Sequence, residues 1–262
     1  MKKFIYIFFL IEIVFAAEHY ARVEPLERYT IKSSVSGEII WTSSNLEGEI
    51  VNGEIIKIDS KIDKKDLQNA LNTKEIIKKS LDLAKEILPT LEENYKRQLR
   101  YFKRLSQTSS TSQNQKDLAF GAMVSAKNQF ISTKDKILSL KRQLSDIDFK
   151  IAMLKDKISK KSIRAKNLYL YKLFVKKGDY ATFGKPLAIL DDLSKAKVTI
   201  YLSKDELRNL SKSKIYIQGQ KTNLTFNKIW KEADEKFISS YKAEIILEPK
   251  YQFSSLIKVE VK

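Results

Sequence analysis

The side chains that could perform chemistry in this chain are few and scattered. The sequence holds one histidine, His19, and no cysteine. Disulfides, thiolate catalysis, cysteine metal sites and a lipidated N-terminal cysteine are therefore excluded. His19 lies beside a predicted cleavage site, a poor place for catalysis or metal binding. Asp191 and Asp192 are adjacent carboxylates without ligand partners nearby. Asp59, Asp63 and Asp66 sit at a strand-to-helix junction, where N-capping accounts for them. Trp41 and Trp230 read as core residues rather than ligand platforms. No nucleophile and base pairing, phosphate loop or metal-ligand spacing occurs. The expectation is a chain that is not an enzyme, with no catalytic residue, cofactor or metal. Its chemistry would be that of one surface against another.

The surfaces are set by residues 64–160, which carry two long helical patterns separated by a short polar stretch. In the first arm Leu67, Ala70, Lys74, Ile77, Leu81, Ala84, Leu88, Leu91, Tyr95, Gln98, Phe102 and Leu105 follow alternating steps of three and four. Only Lys74 and Gln98 interrupt the apolar seam. In the second arm the same stepping runs through Ala119, Met123, Ala126, Phe130, Thr133, Ile137, Leu140, Leu144, Ile147, Ile151, Leu154 and Ile158. A heptad stripe this narrow buries one side of a helix and needs a partner helix rather than a globular core. The polar residues 106–115, SQTSSTSQNQ, cannot continue the seam and compete locally for backbone hydrogen bonds. The two arms are thus expected to form an antiparallel α-hairpin, on the order of 60 Å long at about 1.5 Å rise per residue. Pro89 removes one hydrogen bond within the first arm, so a bend or local break is expected there. A solvated structural coiled coil with no special tip has the same pattern.

A chain of 262 residues with 43% hydrophobic content can bury a core. The arms take over a third of it, and the remainder suits one or two small β domains. The formal net charge is +17. Its cations are spread among acids, with no dense basic block or aromatic-rich motif, so nucleic acid is not the expected partner. At the N-terminus Lys2 and Lys3 precede an apolar run over residues 4–15 interrupted by Glu12, and Val14 and Ala16 offer the small residues a signal peptidase accepts. Residues 1–17 read as an export signal cleaved after Ala16 or Ala17, the alternative being an uncleaved inner-membrane anchor. The run is short for a membrane span of about twenty apolar residues. The mature chain is expected outside the cytoplasm.

On both sides of the arms the pattern changes to period two. Tyr29, Ile31, Val35, Ile39, Ile40 and Trp41 are strand material, and Glu47-Gly48 is a turn. Asn52-Gly53 is the strongest short-range hairpin signal in the chain. Residues 163–175 alternate again, followed by turns at Lys177-Gly178-Asp179 and near Gly184 and a strand at 186–190. Residues 48–59, GEIVNGEIIKID, and 178–191, GDYATFGKPLAILD, look like two copies of one motif, the first with one residue fewer between its glycines. Two half-motifs flanking an insertion suggest one small β-sandwich completed only when both halves meet. Beyond them residues 197–202, 214–218, 224–230, 241–247 and 256–261 are candidate strands, and 204–210 a short helix.

Paired glycine half-motifs, a hairpin inserted between them and an export signal together resemble the periplasmic adaptor family, also called membrane fusion proteins and haemolysin-D-like, of bacterial tripartite efflux and secretion systems. The resemblance implies an elongated α+β fold. It has a split lipoyl-like β-sandwich (24–62 and 162–192), a long inserted antiparallel α-helical coiled-coil hairpin (63–161) and a following β-barrel domain (193–262). Lipoyl and biotinyl carriers bear a modified lysine at a tight turn between the halves. Here the hairpin fills that place, so carrier function is not implied. The chain stops at Lys262, which implies a short adaptor without the further membrane-proximal domain of many members, or additional sequence beyond this point.

In members that dock onto an outer-membrane TolC-like channel, the tip carries an arginine, a leucine four residues on and a serine seven further. Leu105 and Ser112 fit that spacing, while the arginine position is Tyr101, with Arg100 and Arg104 beside it. An arginine there can pair with carboxylates or cap exposed carbonyls, Leu105 can fill a groove, and Ser112 can bond backbone groups. Equally, Leu105 can be the last seam residue and Ser112 ordinary turn sequence. The resemblance implies a homo-oligomer, a hexamer, bridging an inner-membrane transporter to that channel in the periplasm. A proton-driven RND-type multidrug efflux pump is the favoured transporter. An ATP-driven ABC exporter is the close alternative, and a structural coiled-coil envelope protein a further one.

Overall fold

A computed structural model describes residues 17–262 apart from 212, 236 and 238. The expected export signal lies outside the described residues except for Ala17. The protein is mixed, with a long helical hairpin and antiparallel sheets, as the sequence implied. It divides into two compact units, residues 58–162 and the sequence flanking them on both sides. No helix among the described residues is long and apolar enough to cross a membrane.

The unit of residues 58–162 is built from helices α1 (Lys61–Gln107) and α2 (Gln113–Ser159). Every seam position of both arms is buried or half-buried. Tyr95 stacks on Phe130 with ring centroids 6.2 Å apart, and Phe102 meets Phe120 at 5.5 Å. The seam cation Lys74 finds Asp148 across the hairpin at 2.6 Å. Helix α1 runs unbroken through Pro89, so the expected break does not occur. Pro89 and Lys85, whose carbonyl loses its partner, are both exposed, and water can satisfy that carbonyl.

The flanking sequence forms the second unit. Strands β3 (Gly37–Thr42) and β4 (Ile50–Ile58) precede the hairpin, and β5 (Ser162–Leu173) and β6 (Tyr180–Ala181) follow it. They lie in one sheet in the order β5-β4-β3-β6. The Gly48 N–H donates to the Leu170 carbonyl at 2.8 Å, and the Gly178 N–H to the Ile39 carbonyl at 2.8 Å. Each glycine turn is therefore closed by a residue from the other side of the hairpin, Leu170 for Gly48 and Ile39 for Gly178. Gly48 and Gly178 take φ of 95° and 92°, where a side chain would be strained.

Three sequence expectations fail in this sheet. Asn52-Gly53 is not a hairpin turn: β4 passes through it, because the Asn52 side chain is drawn to β5, accepting from the Asn167 N–H at 2.8 Å. The reversal falls instead at Gly48, after a short 3-10 turn (Ser44–Leu46). Trp41 is 41% exposed rather than core, since it stands at the end of β3 where the cover over Ile39 no longer reaches. The strands expected at 186–190 and 197–202 are one strand, β7 (Pro186–Ser203), pairing with β2 (Glu24–Lys32), β5 and β11 (Ser240–Leu247). Asp191, a carboxylate without ligand partners nearby in the sequence, holds Arg28 of β2 through two hydrogen bonds of 2.7 and 2.8 Å.

The far half of β7 and β11 bury one face each in strict alternation: Ala196, Val198, Ile200 and Leu202 against Ala243, Ile245 and Leu247. The same core takes residues from β1 (Ala17–Arg22), β8 (Ile215–Ile217) and β12 (Leu256–Val261). Strand β9 (Gln220–Lys221) continues their sheet, β10 (Phe226–Ala233) pairs with β11, and helix α3 (Lys204–Asn209) opens on a Ser203 and Glu206 capping box. The sequence assigned nothing to 18–23, yet β1 pairs with β12 along its whole length. His19 there bonds Glu206 at 2.7 Å. Trp230 is half-buried between the ammonium groups of Lys228 and Lys242, at 4.4 and 4.5 Å.

Candidate functional site

The turn between the helices is shorter than the polar stretch that announced it. Helix α1 continues to Gln107 because Thr108 caps it, its hydroxyl donating to the Arg104 carbonyl at 2.9 Å. Helix α2 starts at Gln113 because Ser112 is its N-cap: the Ser112 oxygen accepts from the Gln115 N–H, and the Gln115 side chain accepts from the Ser112 N–H. The residues left to make the turn, 108–112, are polar.

The five residues singled out from the sequence separate into two roles. Arg100, Tyr101 and Arg104 are exposed on the last turns of α1. Leu105 is half-buried as the final seam residue, and the Ser112 hydroxyl is occupied in its own cap. Arg100 bonds Glu93 at 3.0 Å. Arg104 occupies the last turn, where a cation is favoured by the helix dipole. Two further cations escaped the sequence reading: Arg97 and Lys103 line a shallow groove with Arg100 and Arg104. The signal was present, since 97, 100 and 104 step by three and four along one face. Lys103 and Arg104 make no ion pair among the described residues. The tip is thus a polar turn flanked by a basic face with Tyr101 on it. This arrangement suits contact with carboxylates or exposed helix carbonyls. No group of three or more metal-ligating side chains is found among the described residues.

The opposite end of the hairpin is fastened by charge. Asp63, expected as an N-capping residue, is buried and bonds Lys157 at 2.8 Å and Lys161; Lys161 also donates to the Asp59 carbonyl at 2.6 Å. Asp59 comes nearer to capping, accepting from the Lys61 N–H at 2.9 Å. Burial by itself would push the Asp63 carboxyl up, but the hydrogen bonds and charges of the two lysines outweigh it and hold the group below its ordinary value. Lys161 is itself buried, so the two arms are tied by a pair whose members depend on each other.

The fold is the one the sequence resemblance implied, that of the periplasmic adaptor, or membrane fusion, proteins. No family model matches the sequence, and no curated protein matches it. Among solved structures it is similar to MacA from Actinobacillus actinomycetemcomitans, with 14% identity and a TM-score of 0.71, covering 94% of this chain and 78% of that one. It is also similar to a candidate efflux transporter from Bacteroides eggerthii, with 12% identity and a TM-score of 0.53 over 94% and 68% of the two chains. A MacA-MexA chimera carrying the Pseudomonas aeruginosa MexA α-hairpin domain matches with 14% identity and a TM-score of 0.53 over 94% and 80%. At these identities the likeness is one of fold.

Proposed function

We propose that the chain is a non-enzymatic periplasmic adaptor subunit of a tripartite efflux system, linking an inner-membrane transporter to an outer-membrane TolC-like channel. The observation that carries this reading is the MacA-like fold over 94% of the chain. Its hairpin ends in a polar turn beside the basic face of Arg97, Arg100, Lys103 and Arg104. In this reading Arg100, Tyr101 and Arg104 meet the channel, while Leu105 and Ser112 keep the tip in shape. Several large apolar side chains outside the seam support packing of hairpins from neighbouring copies in a hexamer. Ile76, Leu83, Leu138 and Phe149 are 65%, 67%, 58% and 69% exposed, a surface that neighbours would cover. Split lipoyl-like and barrel domains, a cleaved export signal without a lipid anchor and a periplasmic site beside the inner membrane complete the proposal. The adaptor works mechanically, as part of a conduit.

An RND-type transporter is the favoured inner-membrane partner, on the strength of a tip suited to channel docking. The test deletes the chain and measures accumulation of dyes and drugs. Deletion raises accumulation; in the intact strain a proton uncoupler abolishes export, and depletion of ATP with the proton gradient maintained does not. The reverse sensitivity identifies an ABC exporter, and accumulation unchanged by deletion contradicts the adaptor reading.

A further inference from the structure

Away from the hairpin, the junction of β1 and β2 forms one wall of a cavity of about 190 Å³ lined by Arg22, Val23, Glu24, Arg28, Lys197 and Ser254. Its walls are fixed by backbone pairing. The Val23 N–H donates to the Ser255 carbonyl at 2.9 Å, the Ser254 N–H to the Val23 carbonyl at 2.8 Å, and Glu24 lies opposite Lys197 in the β2 and β7 register. Three cations face this space and one carboxylate, Glu24.

Two of the cations are held in place by neighbours that leave donors unused. Arg28 is gripped through Nε and Nη2 by Asp191 and lies over the Tyr171 ring at 4.4 Å, so its Nη1 remains available. Arg22 donates from Nη2 to the Ser254 hydroxyl at 2.9 Å. Lys197 is half-buried and makes no hydrogen bond or ion pair among the described residues. Guanidinium groups fixed in advance lose little freedom when they bind an oxyanion, and an ammonium left without a counter-ion favours one. With Arg28 neutralised by Asp191, Arg22 and Lys197 against Glu24 leave a net positive charge at the cavity, and the free Arg28 Nη1 adds a donor, a combination that suits the oxygens of a phosphate group.

We propose that this cavity binds a phosphate-bearing anion, either a soluble phosphoryl compound or the phosphate of a lipid headgroup, with Lys197 and Arg22 as its principal contacts and Arg28 as a fixed third donor. The site stands on its own residues and does not depend on the adaptor reading.

The test titrates pyrophosphate into the full chain by calorimetry in low-salt, phosphate-free buffer. One saturable site is expected. Lys197→Gln and Arg22→Gln each weaken it by about tenfold or more, the loss of one charge-assisted contact. Lys221→Gln, on an exposed lysine of β9, leaves it unchanged, and thermal melts show all three variants folded. Displacement of pyrophosphate by phosphatidic acid vesicles but not by phosphatidylcholine vesicles identifies a lipid headgroup as the source. Absence of displacement by either identifies a soluble one. No saturable binding at millimolar pyrophosphate overturns the proposal, and so does an equal effect of all three substitutions, which would show diffuse attraction to a basic surface.

Discussion

The hairpin and the sheets solve the burial problem in different ways. In the middle of the hairpin the large seam side chains Leu81, Ile137 and Leu140 keep 5%, 7% and 8% of their surface, whereas Ile55 and Leu202 in the sheets keep none. A two-helix seam has one layer of side chains with water at both edges, while strands that alternate inward residues close a core from several sides. The hairpin compensates with specific polar fastenings: Asp63 with its two lysines at one end, Lys74 with Asp148 along the seam, and the Ser112 cap at the tip. The sheet unit draws its strength from apolar cover.

The contrast predicts an order of effects. Leu202→Ala is expected to destabilise the sheet unit by about 4 to 5 kcal/mol, high in the range for a buried leucine, because a closed core cannot collapse into the gap. Asp63→Ala leaves the buried Lys161 with the Asp59 carbonyl but no counter-ion and should cost the hairpin about 3 to 4 kcal/mol, low in the range for a broken buried pair because that carbonyl remains and Lys157 is half-exposed and can turn to water. Leu81→Ala should cost about 2 to 3 kcal/mol, since water and neighbouring side chains can close over the site. Ser112→Ala, which removes a helix cap, should cost about 1 kcal/mol. Urea titrations followed by circular dichroism for the hairpin and by tryptophan emission for the sheets would check the series. A Leu81→Ala loss equal to that of Leu202→Ala would break the comparison.

Acidity should separate the same two regions. The Asp63 carboxyl lies below its ordinary value in the folded chain, so its contribution is complete above the unfolded carboxylate pKa and is lost as pH falls through the folded one. The urea midpoint of the helical signal is expected to drop on moving from neutral pH to below the ordinary carboxylate range. Asp63→Asn, already weakened at neutral pH, should show a smaller drop.

The hairpin was the most legible part of the sequence because one heptad rule fixes both its partner and its register: every seam residue from Leu67 to Leu105 and from Ala119 to Ile158 is sheltered. The paired glycine motifs were legible for a similar reason, since the turn at each glycine needs a conformation few other residues accept. Strand β1 was hidden beside the predicted cleavage site, its local mark being the alternation of Ala21 near its end with Val23 just beyond it. Asn52-Gly53 misled because a side-chain bond to Asn167, distant in sequence, decides its role. The pairing of Asp191 with Arg28 was hidden for the same reason, the two lying far apart in sequence. At the tip, the exposed cations Arg100 and Arg104 were visible from the sequence, whereas the internal duty of Ser112 became visible only with the cap geometry.

The proposed adaptor function predicts that the hairpin tip touches an outer-membrane protein in living cells. A photo-reactive amino acid placed at Tyr101, exposed and outside the seam, is the most direct probe. Irradiation of intact cells should give a covalent adduct with an outer-membrane channel, and the adduct should disappear when the reactive group is moved to the buried seam position Leu81. Adducts confined to copies of this chain, or none with any outer-membrane protein, would contradict the account.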